Sequence, residues 1–368
     1  MKCNGRHTQA GCLRYGKEKM SAQPLLTVKD LRTHFYTDAG IARAVDGITF
    51  DIKKGECVAL VGESGCGKSV TSLTLMRLLA MPPARIPSGE IIFNGQNLLA
   101  LTEKQMCGVR GSQIAMIFQE PQSALNPVFT VGDQVAEAYA THHPNAKAAE
   151  AWERAIDCMR LVGIPDPERR SLDYPHQLSG GMKQRICIAM ALICDPELII
   201  ADEPTTALDV TIQAQILELL RNLQKERNLS MLLITHDLGV VAEMAERTCV
   251  MYAGKIVEQS PTADLFRRPL HPYTQGLLRA RPSTAMALAK GKKKPRLSVI
   301  PGIVPAATRF EENCRFNPRC PLCTQICKDK EPPLEDYGGE HRAACWHTKA
   351  EGIDAWKEEA ADVAKAMK

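Results

Sequence analysis

A glycine-rich stretch over residues 62–69 has the composition of a phosphate-binding loop. It reads GESGCGKS and fits the pattern G-x-x-x-x-G-K-[ST] between an apolar strand and a helix. Glycines let backbone N–H groups turn inward around phosphate oxygens, and the helix start adds partial positive charge. Lys68 would neutralise the β- and γ-phosphates, and the Ser69 hydroxyl would coordinate Mg²⁺. The predicted nucleotide contacts in this loop, and at the residue that follows it, are Gly62, Ser64, Gly65, Cys66, Gly67, Lys68, Ser69 and Val70.

Two carboxylates follow an apolar segment at residues 198–201, and they have the types needed for metal binding and base catalysis. Asp202 would hold Mg²⁺, directly or through water. Glu203 lies one residue further on and could accept a proton from an attacking water molecule. An ordinary acidic strand end is the alternative, which the phosphate-binding pattern upstream disfavours.

A second glycine-rich segment, LSGGMKQR at residues 178–185, predicts another anion site at a helix start. One ATP molecule does not need two such sites from one chain. We therefore expect a dimer in which Ser179, Gly180 and Gly181 of one chain cap the γ-phosphate bound by the other chain. Gln184 lies in the same segment and is included among the predicted nucleotide-binding residues.

In order and spacing, these motifs resemble those of ABC transporter ATP-binding subunits over about residues 25–257. The resemblance implies that Gln119 contacts Mg²⁺ and the coupling helix of a membrane domain. It also implies that His236 contacts the γ-phosphate. Glu203, His236 and Gln119 then form the catalytic set, and Gln119 joins Ser69 and Asp202 as a predicted Mg²⁺ ligand.

The same resemblance assigns two further nucleotide contacts. Ala207, Leu208 and Asp209 match the loop that follows the acidic strand in this family, and Asp209 is its predicted binding residue. An aromatic residue upstream of the phosphate loop normally stacks on adenine in this family. Phe35 and Tyr36 are the two candidates here.

The segment His271-Pro272-Tyr273 is similar to one found in the ATPases of oligopeptide and dipeptide importers, and residues 118–127 resemble the corresponding loop of that subfamily. The resemblance implies peptide import, with nickel, glutathione or another small solute as the alternative. The implied partners are a related, non-identical ATPase chain, two transmembrane permease subunits and an extracytoplasmic substrate-binding protein. The implied location is the cytoplasmic face of the inner membrane, as a peripheral subunit.

Five of the 14 cysteines fall between residues 314 and 345. The spacing of Cys314, Cys320, Cys327 and Cys345 is unlike the close pairs of common zinc sites. It resembles a cysteine motif of peptide-importer ATPases that can carry a 4Fe-4S cluster, which implies these four as ligands. Cys323 forms a C-x₂-C pair with Cys320 and is a competing ligand, and zinc or reduced thiols are the alternatives.

Composition limits the other functions. The formal net charge is +4, and the first 20 residues carry all of this excess, which leaves a neutral body without the basic patch of a nucleic-acid-binding protein. We therefore expect no nucleic-acid partner and disfavour an ATPase that acts on ribosomes or DNA. An iron–sulfur redox module with an attached ATPase is a further alternative.

Met20 is a second possible start of the chain. No apolar run in the sequence reaches the length of a membrane span.

The elements that must position these residues alternate between strands and helices. Residues 25–31 have an amphipathic, strand-like pattern, and five strands are predicted at residues 58–61, 114–118, 198–202, 231–235 and 248–252. Helices are predicted at residues 69–79, 148–162, 181–194, 211–227 and 238–245. Such alternation indicates an α/β layer with a mostly parallel sheet.

With the family resemblance, the fold class is an α/β P-loop NTPase of the ABC nucleotide-binding type. It would have a RecA-like core, a helical subdomain and a small Cys-rich C-terminal module. The predicted organisation is an N-terminal tail at 1–24, a nucleotide-binding domain at 25–257 with its helical subdomain at about 120–185, a linker or regulatory region at 258–310, the Cys-rich module at 311–348 and a C-terminal tail at 349–368.

Overall fold

The computed structural model describes residues 23–206, 208–280 and 299–348. Most of the predicted N-terminal tail, Ala207, part of the linker and the predicted C-terminal tail lie outside the described residues. In the described chain, no helix is both long enough and apolar enough to cross a membrane.

The described strands are β1 (Leu26–Thr37), β2 (Gly40–Ile52), β3 (Cys57–Val61), β4 (Ala84–Arg85), β5 (Glu90–Phe93), β6 (Gln96–Asn97), β7 (Ile114–Ile117), β8 (Leu198–Asp202), β9 (Ser230–Thr235), β10 (Arg247–Tyr252), β11 (Lys255–Pro261), β12 (Glu335–Asp336) and β13 (Arg342–Ala343). The described helices are α1 (Lys68–Leu75), α2 (Glu103–Cys107), α3 (Pro121–Ala124), α4 (Val131–His142), α5 (Ala148–Leu161), α6 (Pro167–Arg170), α7 (Gly180–Leu192), α8 (Val210–Arg227), α9 (Leu238–Met244), α10 (Thr262–Arg267), α11 (Pro272–Arg279) and α12 (Gln325–Asp329). Short 3₁₀ helices cover Leu98–Ala100, Pro175–Gln177, Ala307–Arg309 and Asn317–Arg319.

The larger sheet has the order β12-β13-β11-β10-β3-β9-β8-β7, and its centre is parallel. Every residue of β3, β8 and β9 is buried, as expected for parallel strands covered on both faces. The five predicted strands are confirmed, with small shifts at their ends. The parallel order brings the carboxyl ends of β3, β7, β8 and β9 to one edge, where the predicted site residues follow.

A second, antiparallel sheet has the order β2-β1-β5-β6, with β4 paired to β1. The strand-like pattern at residues 25–31 predicts only the beginning of β1, and the rest of this sheet is not predicted from the sequence. Strands β1 and β2 pair from Leu26 opposite Ile52 to Thr37 opposite Gly40, with several register shifts. These irregularities break the regular alternation of buried and exposed residues, which is the pattern that reveals a strand in a sequence.

Helices α3–α6 occupy the chain between β7 and α7, within the predicted helical subdomain. Both α4 and α5 pack against α7 as well as against each other. Helix α4 was missed by the sequence analysis. It begins at a Thr130 cap, whose hydroxyl accepts a hydrogen bond from the Asp133 N–H at 3.2 Å.

The chain beyond residue 257 continues the larger sheet. The predicted boundary at 257 falls inside β11, which pairs with β10 and is almost entirely buried. Strand β13 then pairs with β11 through Glu258 opposite Ala343 and Gln259 opposite Arg342. A hydrophobic cluster around Tyr252, Tyr273 and Phe316 packs residues from the segment after 299 against the central sheet.

Candidate nucleotide-binding site

The loop between β3 and α1 has a backbone that only glycine fits at two positions. A Cβ atom on Gly67, whose φ is 107°, would lie 2.2 Å from the Ala44 carbonyl oxygen. A Cβ atom on Gly62 would lie 2.1 Å from the carbonyl oxygen of Met251. The chain therefore approaches these neighbours closely and places the loop directly before the N-terminus of α1, where backbone N–H groups can bind an anion.

The side chain of Lys68 reaches back across the loop to its first two residues. Its ammonium donates to the carbonyl oxygens of Gly62 at 2.8 Å and Glu63 at 3.1 Å, and the side chain is buried. Ser64, Gly65 and Ser69 are exposed, whereas Cys66 is buried beneath the loop. The exposed positions are the ones at which a phosphate group could reach the loop, and Lys68 would meet it there.

Asp202 ends β8 beside α1. Its carboxylate accepts hydrogen bonds from the Ser69 hydroxyl at 3.2 Å and the Ser72 hydroxyl at 3.1 Å. Burial raises the pKa of Asp202, although these two hydrogen bonds oppose the shift. A carboxylate and a hydroxyl at this distance are hard oxygen ligands and fit Mg²⁺. Ser72 was missed by the sequence analysis, and its position three residues after Ser69 on one helix face was the available signal.

Glu203 is the point at which three predicted residues meet. Its carboxylate accepts a hydrogen bond from Gln119 Nε2 at 3.1 Å and contacts His236 Nδ1 at 3.1 Å. Thr206, which the sequence analysis did not predict, donates its hydroxyl proton to the same carboxylate at 2.8 Å. The backbone of Glu203 has a φ of 48°, an unfavourable conformation for this residue type that often marks functional sites.

The pKa of Glu203 is lowered. Burial would raise this pKa, but the hydrogen bonds from Thr206 and His236 and the charge of Lys68 outweigh it. Because the hydrogen-bond donors favour the ionised form, Glu203 is a carboxylate at neutral pH and can accept a proton.

Ser179 lies at the start of α7, exposed to solvent. Its hydroxyl caps the helix by accepting a hydrogen bond from the Met182 N–H at 3.3 Å. Gly180 and Gly181 follow it in the first turn, and Gly181 packs against Ile212 of α8. Gln184 is buried, and its Nε2 has no hydrogen-bond partner among the described residues. No described contact of Lys68 or Asp202 involves Ser179.

The remaining predicted contacts lie at the edges of this region. Asp209 caps α8 through a hydrogen bond from the Ile212 N–H to Oδ1 at 3.0 Å. Phe35 is half-buried in β1, whereas Tyr36 is 40% exposed and has the Arg85 guanidinium over its ring at 4.7 Å. Tyr36 is therefore the more accessible of the two aromatic candidates.

The cysteine cluster lies in the segment after residue 299. Burial raises the pKa of the Cys314 and Cys320 thiols to about 11 and that of Cys345 to about 12, and neighbouring thiols add to each shift. Cys327 contributes to all three shifts, so the four predicted ligands are near one another. In the described residues, however, no three His, Cys, Asp or Glu side chains are arranged to hold a metal ion. The geometry therefore gives the predicted iron–sulfur cluster no direct support.

Comparisons with known proteins agree with the motif order. Residues 45–206 match the family described as ABC transporter, and residues 257–327 match the family described as oligopeptide/dipeptide transporter, C-terminal region. The "Probable peptide ABC transporter ATP-binding protein y4tR" of Sinorhizobium fredii is 52% identical over 327 residues, which cover 89% of this chain and 96% of that protein. The dipeptide transport ATP-binding protein DppD of Escherichia coli is 49% identical over 321 residues, which cover 87% of this chain and 96% of that protein.

A solved structure is similar to about two thirds of the chain. It is the dimeric post-hydrolysis state of the ATP-binding cassette MJ0796 bound to ADP and Pi, with a TM-score of 0.58 and 27% sequence identity. The match covers 64% of this chain and 98% of that chain.

Proposed function

Because the chain belongs to the family of ATP-binding proteins of ABC peptide transporters, we propose that it binds ATP between two nucleotide-binding chains. The phosphate loop of one chain would hold the nucleotide, and Ser179, Gly180 and Gly181 of the other would cap its γ-phosphate. The chain is an ATPase that energises peptide import, in keeping with the names of its relatives. The dimeric state of the similar cassette with ADP and Pi supports the two-chain arrangement.

The observation that carries the catalytic proposal is the carboxylate of Glu203, held by Gln119, Thr206 and His236 at the edge of the sheet. Glu203 would accept a proton from the attacking water, and His236 would contact the γ-phosphate. Gln119, which contacts Glu203 directly, would orient that water and signal to the membrane subunits.

Substrate binding is assigned to the phosphate loop and its neighbours. Lys68 and the N–H groups at the start of α1 would neutralise the β- and γ-phosphates. Ser69, Asp202 and Gln119 would hold Mg²⁺, which neutralises charge on the phosphate oxygens when bound. Tyr36, or Phe35 beside it, would stack on adenine, and Asp209 would contact nucleotide across the dimer. Gln184 would act by supporting the start of α7, because its side chain is buried.

The assembly implied by the family includes a related, non-identical ATPase chain, two permease subunits and an extracytoplasmic substrate-binding protein. The chain would then sit at the cytoplasmic face of the inner membrane. Closure of the two ATPase chains around ATP would move the permease subunits, and hydrolysis would reset them.

For the cysteine cluster we retain the proposal of a 4Fe-4S cluster on Cys314, Cys320, Cys327 and Cys345. Their mutual effect on pKa supports a shared environment, and a bound cation would favour the thiolate forms that burial disfavours. Zinc and reduced thiols are the alternatives for these four residues. Iron analysis and visible absorbance of anaerobically purified protein decide between a cluster and reduced thiols.

The catalytic proposal is tested by Glu203→Gln. The amide keeps the shape of the side chain but cannot accept the proton, so ATP hydrolysis should fall by at least about 100-fold. ATP binding should persist, and the bound nucleotide should trap the two-chain form. Phosphate release and equilibrium nucleotide binding measure the two effects. Hydrolysis at the wild-type rate would remove Glu203 from its proposed role.

A further inference from the structure

Glu63, the second residue of the phosphate loop, is bound by two side chains from the C-terminal part of the chain. Arg319 forms a bidentate ion pair with it: Nη1 donates to Oε2 at 2.6 Å and Nη2 donates to Oε1 at 3.0 Å. The hydroxyl oxygen of Tyr273 accepts a hydrogen bond from the Glu63 N–H at 2.9 Å. Glu63 is therefore held in place through both its backbone N–H and its carboxylate.

Arg319 is itself held in place by the C-terminal segment. Its Nε donates to the Pro301 carbonyl oxygen at 2.8 Å, and its side chain is only 4% exposed. The rigid guanidinium fork makes a bidentate pair, which fixes the position of the Glu63 carboxylate. Arg319 ends a 3₁₀ helix and directly precedes Cys320 in the chain, which links it covalently to the cysteine cluster.

The residue that is fastened in this way also touches the phosphate-binding lysine. The carbonyl oxygen of Glu63 accepts a hydrogen bond from Lys68 Nζ at 3.1 Å and another from the Cys66 N–H at 3.3 Å. A loop held in its binding conformation before the ligand arrives loses less entropy when phosphate binds.

We propose that Arg319 and Tyr273 are positioning residues that hold the phosphate loop ready for nucleotide, and that the cysteine-containing segment thereby regulates nucleotide affinity. Both act through Glu63. The proposal rests on the proposed function, since it requires ATP to bind at Lys68. It assigns to the C-terminal segment a role in the ATPase cycle that is separate from any part in recognising membrane partners.

Arg319→Ala in the full-length chain tests this role. Affinity for a fluorescent, non-hydrolysable ATP analogue should fall about tenfold, because only a fraction of the loops would be in the binding conformation. In the assembled transporter, KM for ATP should rise while kcat stays within about twofold, since ground-state binding is lost. Arg319→Lys cannot form the bidentate pair, so its affinity for the analogue should lie between those of the wild type and Arg319→Ala. Arg309→Ala removes an exposed arginine of the same segment and should change neither quantity.

A double-variant comparison shows whether Glu63 carries the effect. Glu63→Ala combined with Arg319→Ala should bind no more weakly than Glu63→Ala alone. Likewise, Cys320→Ser should weaken binding in the wild-type background and have no further effect in the Arg319→Ala background. If the losses of analogue affinity in the two single variants add up in the double variant, in either comparison, the proposal is overturned.

Two controls distinguish a failure of this proposal from a variant that does not fold and from a failure of the proposed function. Thermal unfolding is recorded for each variant, and if Arg319→Ala does not fold, Glu63→Gln replaces it, since the amide keeps the packing and weakens the ion pair. A wild-type chain that fails to bind the analogue would contradict the proposed function itself. Normal binding by the wild type with equal affinity in a folded Arg319→Ala or Glu63→Gln variant would contradict only the role of the pair.

Discussion

The two oxygens of the Glu203 carboxylate have different partners. Thr206 and Gln119 both donate to Oε2, whereas Oε1 contacts His236. Burial favours the protonated acid, and the hydrogen bonds favour the carboxylate strongly enough that the pKa is lowered. Removing a donor should therefore raise this pKa and make the base protonate at a higher pH.

Thr206→Val should move the acidic limb of the pH–rate profile for ATP hydrolysis to higher pH. The valine keeps the shape of threonine but cannot donate a proton to Glu203. Hydrolysis measured between about pH 5 and pH 8 provides the profile, in the range where such limbs are usually accessible. Thr205→Val is the matched control, because no contact of the Thr205 hydroxyl with Glu203 is present among the described residues. An acidic limb that stays in place would mean that Thr206 does not set the protonation of Glu203.

Helix α7 has one observed and one proposed role at its first turn. Ser179 caps the helix inside one chain, and the same hydroxyl is the proposed donor to a γ-phosphate on another chain. A helix start supplies free N–H groups and partial positive charge, so it can serve both purposes. The two roles are separable by a residue that caps well and repels phosphate.

Ser179→Ala and Ser179→Asp separate these roles. Alanine should lower the free energy of unfolding by about 1 kcal/mol through loss of the cap, whereas aspartate should keep it near the wild-type value. Both should lose ATP-dependent dimer formation and hydrolysis, because neither donates to the γ-phosphate and aspartate adds like charge. Chemical denaturation measures the first effect, and size-exclusion chromatography with phosphate release measures the second. Normal hydrolysis by the aspartate variant would contradict the phosphate contact.

At the scale of the whole molecule, Glu258 joins three parts of the chain. It lies on β11, fully buried, and its carboxylate accepts hydrogen bonds from the N–H groups of Leu270 and His271. The third partner is His341 Nε2, at 2.7 Å, just before β13. The His-Pro-Tyr segment and the C-terminal segment are thus anchored to the sheet through one buried carboxylate.

His341→Ala should destabilise the folded chain by about 3 kcal/mol, because it leaves a buried carboxylate with one partner fewer. Arg342→Ala is the neighbouring control, since its 3.7 Å ion pair with Asp336 is half-exposed and contributes less than about 1 kcal/mol. Denaturant unfolding of both variants provides the comparison. A His341→Ala variant as stable as Arg342→Ala would show that Glu258 does not depend on this partner.

The sequence by itself indicated which class of chemistry to expect and which residues are its candidates. Short contiguous motifs predicted the phosphate loop and the candidate roles of Asp202 and Glu203. Fully apolar runs predicted the parallel strands that precede these residues. These features depend on neighbours in the chain, because a loop-to-helix turn and a buried strand each need residues of a particular type at fixed spacing. Motif order also indicated the transporter family before any geometry was known.

Only the tertiary structure decided which distant residues touch those motifs. The antiparallel sheet was missed because register shifts blur its alternation. The contact of Arg319 with Glu63 joins residues 256 positions apart, and that of His341 with Glu258 joins residues 83 positions apart. Such pairs are set by the way β11 and β13 extend the central sheet, and a single sequence carries no local pattern for a contact between elements that meet only after folding.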